Sequence, residues 1–248
     1  MVLTLECPLC VDATGQVTEE LLALSDHVDA NISSPMTTFP ATLLKGYLEY
    51  KKGKFADERE RYQQLAEDGQ SPETLIIACC DSRAAPETIF NSFPGEIFVI
   101  RNVANLVPPY SPGVDYHSTS AAIEFAVQSL KVKHIVVLGH GRCGGIKAAL
   151  DPDVEPLSPG DFIGKWMELL GPAAEAMTSN EWMTGTERQR SLEHISIRYS
   201  LKNLRTFPFI TSLEKENQLS LHGAWFDISG GDLWVTNPET GDFFIPEL

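Results

Sequence analysis

Basic residues are scarce in this sequence of 248 residues. It has 19 lysines and arginines against 34 aspartates and glutamates, so its formal net charge is -15 at pH 7 and its pI is about 4.7. Binding to nucleic acid or to an anionic membrane surface needs a basic stripe that neutralises phosphates. The composition therefore disfavours both kinds of partner, although one local positive site can still bind a small anion.

Long apolar runs and a secretion signal are also lacking. No stretch of about 18 apolar residues is present, so we predict no membrane-spanning helix. Residues 1–7 do not combine a basic start with an apolar core, as cleaved secretory signals do. Five cysteines are an odd number, and a chain of this length needs no disulfide framework. We therefore expect a cytoplasmic protein whose cysteines bind metal or react.

The first 36 residues differ from the rest of the chain. They are acidic and contain no clear strand, with one candidate helix at 18–30, and we interpret them as an N-terminal extension. Cys7 and Cys10 form a lone CxxC pair in this segment, which is a weak metal signal without a second ligand pair. Residues 37–248 are expected to form a single domain.

Strand-like and helix-like patterns alternate from residue 37 onward. We predict strands at 74–78, 96–100, 134–138 and 208–211, helices at 40–52, 55–67, 87–91, 118–130, 144–150, 162–177 and 187–207, and a final hairpin of 224–228 with 233–236. This order indicates an α/β fold with a central, mainly parallel mixed β-sheet flanked by helices, a helical N-terminal arm and a C-terminal antiparallel hairpin.

Two short strings follow directly on apolar runs. The first is Cys79-Cys80-Asp81-Ser82-Arg83 and the second is His140-Gly141-Arg142-Cys143-Gly144-Gly145. Strand ends are where parallel sheets present their active sites. Two cysteines and one histidine form a known catalytic zinc set whose fourth position stays open for water. The sequence therefore predicts a zinc centre where the two strands end.

The spacing explains part of this site and leaves part of it open. His140 and Cys143 flank one tight turn, and the helix that follows favours a thiolate at Cys143. Alternation along a strand lets only one of Cys79 and Cys80 point at the metal, and spacing does not decide between them. Asp81 and Arg83 are two residues apart, which in an extended segment would place both on one side as an ion pair.

The strings resemble the signature of the β-class carbonic anhydrases, Cys-x-Asp-x-Arg followed later by His-x-x-Cys. The resemblance extends over residues 37–245 and implies that Cys79, His140 and Cys143 bind one zinc ion per subunit, with Cys80 in a position usually held by serine. It also implies a zinc lyase (carbonate dehydratase) in which zinc-bound hydroxide hydrates carbon dioxide reversibly to bicarbonate and a proton.

The resemblance assigns roles around the metal. Asp81 is expected to accept the hydroxide proton, and Arg83 to hold Asp81 away from the metal. In the closed form of some members, the aspartate takes the fourth site instead. The branch with an inhibitory bicarbonate pocket carries tryptophan where this chain has Ile76, so we expect an open site.

The resemblance also implies a substrate pocket of the plant-like type. Gln70, Phe98 and Val103 match substrate-pocket positions of the plant-like branch, whereas Phe125 stands where that branch usually has tyrosine. The family further implies a homodimer or homotetramer in which Gln70 and Phe98 reach the site across the subunit interface.

Two rival functions remain at this point. A family relative that hydrolyses carbon disulfide or carbonyl sulfide would use the same ligands. A non-catalytic zinc or redox-sensing protein would rely on Cys7, Cys10 and Cys80.

Carbon dioxide hydration releases a proton in every turnover. Histidines are the usual carriers near neutral pH. The sequence offers His27, His117, His134, His194 and His222 as candidates and singles out none of them.

Overall fold

The computed structural model describes residues 38–113, 117–151 and 153–247. These residues belong to two compact units that divide between Asp57 and Glu58. The predicted helix at 18–30 and the Cys7/Cys10 pair lie outside the described residues. The domain boundary predicted near residue 36 therefore stays a prediction. Among the described residues, no helix is long and apolar enough to cross a bilayer.

The smaller unit contains helices α1 (Ala41–Lys52) and α2 (Lys54–Asp57). The predicted first helix is confirmed, and it ends at Gly53. None of its residues is buried, and Leu43 and Tyr47 are 60% and 51% exposed. The predicted helix at 55–67 is in fact two helices, α2 and, in the larger unit, α3 (Arg59–Asp68).

A six-stranded mixed sheet forms the larger unit, as the alternating pattern predicted. The strands are β1 (Thr74–Cys79), β2 (Ile97–Asn102), β3 (His134–His140), β4 (Ser220–Phe226), β5 (Leu233–Thr236) and β6 (Phe243–Phe244). Their order is β2-β1-β3-β4-β5-β6, with β2, β1, β3 and β4 parallel and the last two antiparallel. The predicted C-terminal hairpin is thus confirmed as β4–β5, and β6 extends it.

Helices flank this sheet. They are α4 (Pro86–Ile89), α5 (Ser118–Glu124, continued by a π-helical turn Phe125–Ser129), α6 (Gly144–Ala149), α7 (Phe162–Met167), α8 (Gly171–Thr178), α9 (Gly185–Leu204) and α10 (Pro208–Lys215), with 3₁₀ turns at Val103–Asn105 and Glu168–Leu170. The sheet and its helices agree with the α/β class predicted from the sequence.

The strand predicted at 208–211 is wrong, because these residues begin helix α10. Pro208 occupies the first helical position, where its missing N–H and fixed φ suit a helix start. Ile210 is fully buried, and Leu213 packs against the same core almost one turn later. A short apolar run of this kind does not distinguish strand from helix by periodicity alone.

The centre of the sheet is buried on both faces. Ile77 and Ile135 on one face and Ile76 and Leu138 on the other are all buried, as the continuous apolar runs of β1 and β3 predict for central parallel strands. Helix α9 packs closely on the neighbouring strands because two positions there are glycine. A Cβ at Gly139 would lie 2.7 Å from Ile197 Cδ1, and one at Gly223 would lie 2.8 Å from Ile197 Cγ2.

The close approach at Gly223 yields a stability prediction. Gly223→Ala places a methyl group within 2.7–2.8 Å of Thr236 and Ile197, and such overpacking lowers the free energy of unfolding by about 1–3 kcal/mol. Urea unfolding followed by circular dichroism measures the loss.

The matched control is Gly185→Ala in the first turn of α9, where a Cβ meets no atom within 4 Å. It should leave stability unchanged or raise it slightly. Equal midpoints for Gly223→Ala and the wild type would contradict the packing described here.

Candidate metal centre

Three side chains meet where β1 and β3 end. Cys79 is the last residue of β1, His140 is the last residue of β3, and Cys143 is the N-cap of α6. Strands β1 and β3 are parallel neighbours, with Ala78 beside Leu138, so their carboxyl ends share one edge. All three side chains are buried, being 5%, 1% and 1% exposed in that order.

The donor atoms of these residues form a compact cluster. The two sulfurs are 3.9 Å apart, and the three donor atoms all lie within 4.8 Å of one another. Nδ1 of His140 is 3.0 Å from the Gly141 carbonyl oxygen, whereas Nε2 is buried without a hydrogen-bond partner among the described residues. A buried ring nitrogen facing two sulfurs suits a metal that accepts thiolate and imidazole ligands, such as zinc.

The sulfur pair is electrostatically asymmetric. The neighbouring Cys143 thiol lowers the pKa of Cys79 to about 4 against the effect of burial, with further help from His140 and from the N–H of Ala104. The same contact and burial raise the pKa of Cys143. Without metal, the pair therefore favours one thiolate and one thiol. Binding a metal through both sulfurs would release the remaining thiol proton.

Cys80, the alternative left open by the sequence, is exposed and does not join the cluster. Its backbone N–H donates to the Asn102 carbonyl oxygen at 2.9 Å, which continues the β1–β2 pairing past the strand end. Its side chain consequently points away from the buried side on which Cys79 lies. The structure thus brings Cys79, and not Cys80, to His140 and Cys143.

Asp81 and Arg83 form an ion pair at the rim of the cluster. Arg83 donates from Nε to Oδ1 at 2.9 Å and from Nη2 to Oδ2 at 2.7 Å. The chain is not extended here, as the spacing suggested, but turns: the Arg83 backbone N–H also donates to Oδ1 at 3.0 Å. Asp81 Oδ2 lies 3.9 Å from His140 Nε2.

The pair fixes the charge of Asp81. Hydrogen bonds from the Arg83 guanidinium and backbone hold the pKa of the Asp81 carboxyl well below its usual range, and the nearby His140 adds to the effect. The carboxylate is therefore ionised throughout the physiological pH range. For His140, burial lowers the pKa, but the Cys79 thiolate and the Gly141 carbonyl outweigh it, so the net shift is upward.

Arg101 ties the loop after β1 to strand β2. Its Nε donates to the Cys79 carbonyl oxygen at 2.8 Å, and its Nη2 donates to the Asp81 carbonyl oxygen at 2.6 Å. Arg83 makes a comparable bond to the Arg142 carbonyl oxygen at 3.2 Å. Arg101 thereby holds the Cys79–Asp81 segment against β2, and Arg83 joins this segment to the one that carries His140 and Cys143.

Glu193 is a site residue that sequence reasoning missed. This glutamate of α9 is 3% exposed, and its Oε1 accepts from the Cys143 N–H at 3.0 Å and from Gln189 Nε2 at 3.1 Å. Its Oε2 accepts from Trp225 Nε1 at 3.2 Å. Burial raises the pKa of the Glu193 carboxyl, although these three hydrogen bonds act in the opposite direction. In the sequence, nothing distinguishes it from the exposed glutamates of a charged helix.

The three predicted substrate-pocket residues lie at different places. Val103 follows β2 directly, and its Cγ1 lies against Gly145 in the first turn of α6. Phe98 is opposite Leu75 in the β1–β2 register, four residues before Cys79. At about 3.3 Å per strand residue, this separation is about 13 Å. Gln70 precedes β1, at the end of the strand that is far from Cys79. A single chain therefore brings Val103, but not Gln70 or Phe98, to the cluster.

Val103 also lines a cavity of about 460 Å³. It is mainly apolar, with a few polar groups at the start of α5. Its lining residues are Asn102, Val103, His117, Ser118, Thr119, Phe162, Ile163 and Trp166. Trp166 Nε1 donates to the Val103 carbonyl oxygen at 2.8 Å, which joins two of the segments that line the cavity.

Comparisons with known proteins identify a family. The family model for carbonic anhydrase matches residues 74–233. Beta carbonic anhydrase 5, chloroplastic, from Arabidopsis thaliana is 40% identical over 184 residues, which are 73% of this chain and 59% of that protein. The chain thus spans less than two thirds of the length of this relative. The similarity to a plant protein agrees with the predicted plant-like branch.

Solved structures show the same relationship. The β-carbonic anhydrase CcaA superposes with a TM-score of 0.77 at 31% identity, covering 84% of this chain and 92% of that one. A structure from a study of two tetrameric β-carbonic anhydrases of the ascomycete Sordaria macrospora gives a TM-score of 0.68, also at 31% identity, covering 82% of this chain and 97% of that one.

The contacts of Glu193 yield a prediction about metal affinity. In Glu193→Gln one acceptor oxygen becomes an NH₂, so either the Trp225 N–H or both the Cys143 N–H and the Gln189 amide lose their acceptor. Because such supporting groups orient metal ligands, we expect zinc affinity to fall about 10- to 100-fold. Competition with a chromogenic chelator measures it.

Glu175→Gln, at an exposed position of α8, is the matched control and should leave zinc affinity unchanged. Wild-type affinity in Glu193→Gln would show that the Cys143 backbone is positioned without Glu193.

Proposed function

The chain belongs to the β-carbonic anhydrase family, and we propose that it catalyses the reversible hydration of carbon dioxide to bicarbonate and a proton. One zinc ion per subunit would be held by Cys79, His140 and Cys143. The observation that carries this proposal is the buried cluster of two sulfurs and an unpaired imidazole nitrogen, with an ionised carboxylate at its rim. Three protein ligands leave the fourth tetrahedral position for chemistry.

Zinc, when bound, supplies the Lewis acidity that lowers the pKa of water and makes hydroxide available near neutral pH. Asp81 would accept a hydrogen bond from that hydroxide, because it is ionised and its Oδ2 lies 3.9 Å from the unpaired His140 nitrogen. This hydrogen bond would orient an oxygen lone pair toward the carbon of the substrate. Arg83 engages both carboxylate oxygens, which supports an open site with Asp81 turned from the metal.

Carbon dioxide is small and apolar, so its pocket needs apolar walls and few polar groups. Val103 supplies one such wall next to the cluster. Gln70 and Phe98 would supply the rest from a second copy of the chain. In one chain, Phe98 lies about 13 Å along the sheet from Cys79, and Gln70 precedes β1 at the end of that strand far from Cys79. Phe98 packs on Phe125 with ring centroids 5.8 Å apart, so the two rings would enter the partner's site together.

A homodimer, or a tetramer built from dimers, follows from this arrangement. The leucines and Tyr47 of α1 are exposed in the single chain, and an apolar helix face of this kind suits burial against a second copy. The tetrameric relatives from Sordaria macrospora are consistent with this proposal. A cytoplasmic location fits a site that needs two reduced cysteines, since cytosolic thiols are kept reduced.

Stopped-flow carbon dioxide hydration tests the proposed activity. The zinc-loaded wild type should hydrate carbon dioxide, and Asp81→Asn should lose about 100-fold or more in kcat/KM, because a neutral amide can donate a hydrogen bond where an acceptor is needed. The zinc content of both proteins is measured alongside, so that loss of metal is distinguished from loss of chemistry.

Asp68→Asn, at the exposed end of α3, is the control and should match the wild type. A zinc-loaded wild type that hydrates no carbon dioxide would overturn the proposal. Hydrolysis of carbonyl sulfide or carbon disulfide by that same sample would assign the centre to the rival reaction.

The shared-site arrangement predicts that activity depends on association. Replacing Leu43 and Leu48 together by glutamate places charge on the exposed apolar face of α1, so the protein should dissociate and lose most hydration activity while keeping its zinc. Light scattering coupled to gel filtration and metal analysis measure the two effects. Lys45→Glu on the same helix is the control. Full activity in a monomeric variant would exclude a site completed by a second copy.

A further inference from the structure

Hydration of carbon dioxide yields one bicarbonate and one proton, and the proton has to reach solvent before the next turnover. Neither Asp81 nor Arg83 suits that task. The carboxylate has a pKa far too low to hold a proton near neutral pH, and the guanidinium does not release one. A separate group that changes charge near neutral pH is therefore needed, and histidine is the side chain that does so.

Most histidines of the described chain are unsuited by position. His134 and His222 lie in the first halves of β3 and β4, away from the strand ends that carry the cluster, and their rings hydrogen-bond to each other at 3.2 Å. His194 is stacked on Phe243 with centroids 4.1 Å apart, and burial lowers its pKa to about 4. His140 belongs to the metal cluster. His27 lies outside the described residues.

His117 is the remaining histidine of the described residues, and it lines the 460 Å³ cavity beside Val103. It immediately precedes α5 and is half-buried. Its Nδ1 lies 2.6 Å from Ser120 Oγ, a hydrogen bond across the first turn of the helix. This bond fixes the ring and uses one nitrogen, so Nε2 is the nitrogen that can exchange a proton.

A short series of contacts connects the start of α5 to the metal cluster. Thr119 Oγ1 accepts from Asn102 Nδ2 at 3.3 Å, and both residues line the same cavity as His117. Asn102 is opposite Cys79 in the β1–β2 register. Two residues further on, the Ala104 N–H donates to Cys79 Sγ at 3.4 Å. The cavity thus joins His117 to Asn102 and Val103, the residues next to the cluster, and it is large enough to hold several waters.

We propose that His117 is the proton-transfer residue of this enzyme, working through water in the cavity that it shares with Val103. This role rests on the proposed function. A water in the cavity relays the proton released by hydration. It gives up a proton to Nε2 of the neutral ring, where an N–H bond forms as the O–H bond of the water breaks. The N–H bond then breaks as a buffer base takes the proton, and the ring returns to its neutral form.

Separating kcat from kcat/KM tests this role, because proton export limits kcat whereas kcat/KM reports the hydration step itself. His117→Asn keeps a polar atom near the Nδ1 position for Ser120 and removes the titratable ring. In weakly buffered solution, the zinc-loaded full chain with this change should lose about 10- to 100-fold in kcat, with kcat/KM within about twofold of the wild type. Added imidazole should restore kcat.

His134→Asn, an exposed histidine at the other end of β3, should leave both constants unchanged. Wild-type kcat in His117→Asn would overturn the role. A parallel fall of kcat and kcat/KM without rescue by imidazole would also overturn it, since that pattern indicates structural damage. Failure of the proposed function is seen separately, in the wild type itself. If the zinc-loaded wild type hydrates no carbon dioxide, both the proposed function and this role are overturned.

Chemical labelling gives a readout that does not depend on activity. Diethyl pyrocarbonate acylates accessible, unprotonated imidazole nitrogens, and mass spectrometry locates the product. His117 should be labelled in the zinc-loaded protein, whereas His194, whose ring is stacked on Phe243 and whose Nε2 is buried, should react far more slowly. Ser120→Ala should raise labelling at His117 by freeing Nδ1. A His117 as unreactive as His194 would show that Nε2 does not reach the cavity water, which would overturn the proposal.

Discussion

Parallel pairing between β1 and β3 fixes the position of every group at the metal centre. The register sets Thr74 beside His134, so the two strands advance together and end at the same edge. Cys79 lies at the end of one strand and His140 at the end of the other, and Cys143 follows one turn later. A slip of one residue would turn every side chain of a strand to the other face and would separate the donor atoms.

Buried polar contacts then stabilise this edge. The strands alone bring three donors close, but the loops after them carry backbone groups that need partners when water is excluded. Arg101 supplies donors to the carbonyl oxygens of Cys79 and Asp81, and Glu193 accepts from the Cys143 N–H. Both side chains come from outside the two signature strings. The metal centre is thus held by β2 and α9 as much as by the strands that bear its ligands.

Much of the fold and of the site could be predicted from the sequence, because their signals are local. Continuous apolar runs predicted the central strands, and the two strings predicted which residues meet there. The strand predicted at 208–211 failed because so short a run fits either period, and Pro208 is well suited to the first position of a helix. The Asp81–Arg83 pair was predicted for an extended segment, yet a turn forms it.

Residue types and their order along the chain determined the chemistry: two thiols, one imidazole, a carboxylate and its arginine, each at a strand end. Spacing left open which of two adjacent cysteines joins the cluster, and the family resemblance implied Cys79. The tertiary structure decided for Cys79, because the choice depends on which side of β1 faces the core. It also decided that Glu193 is buried against Cys143 and that His117 lines a cavity beside Val103. These contacts join residues far apart in sequence, and local patterns carry no information about them.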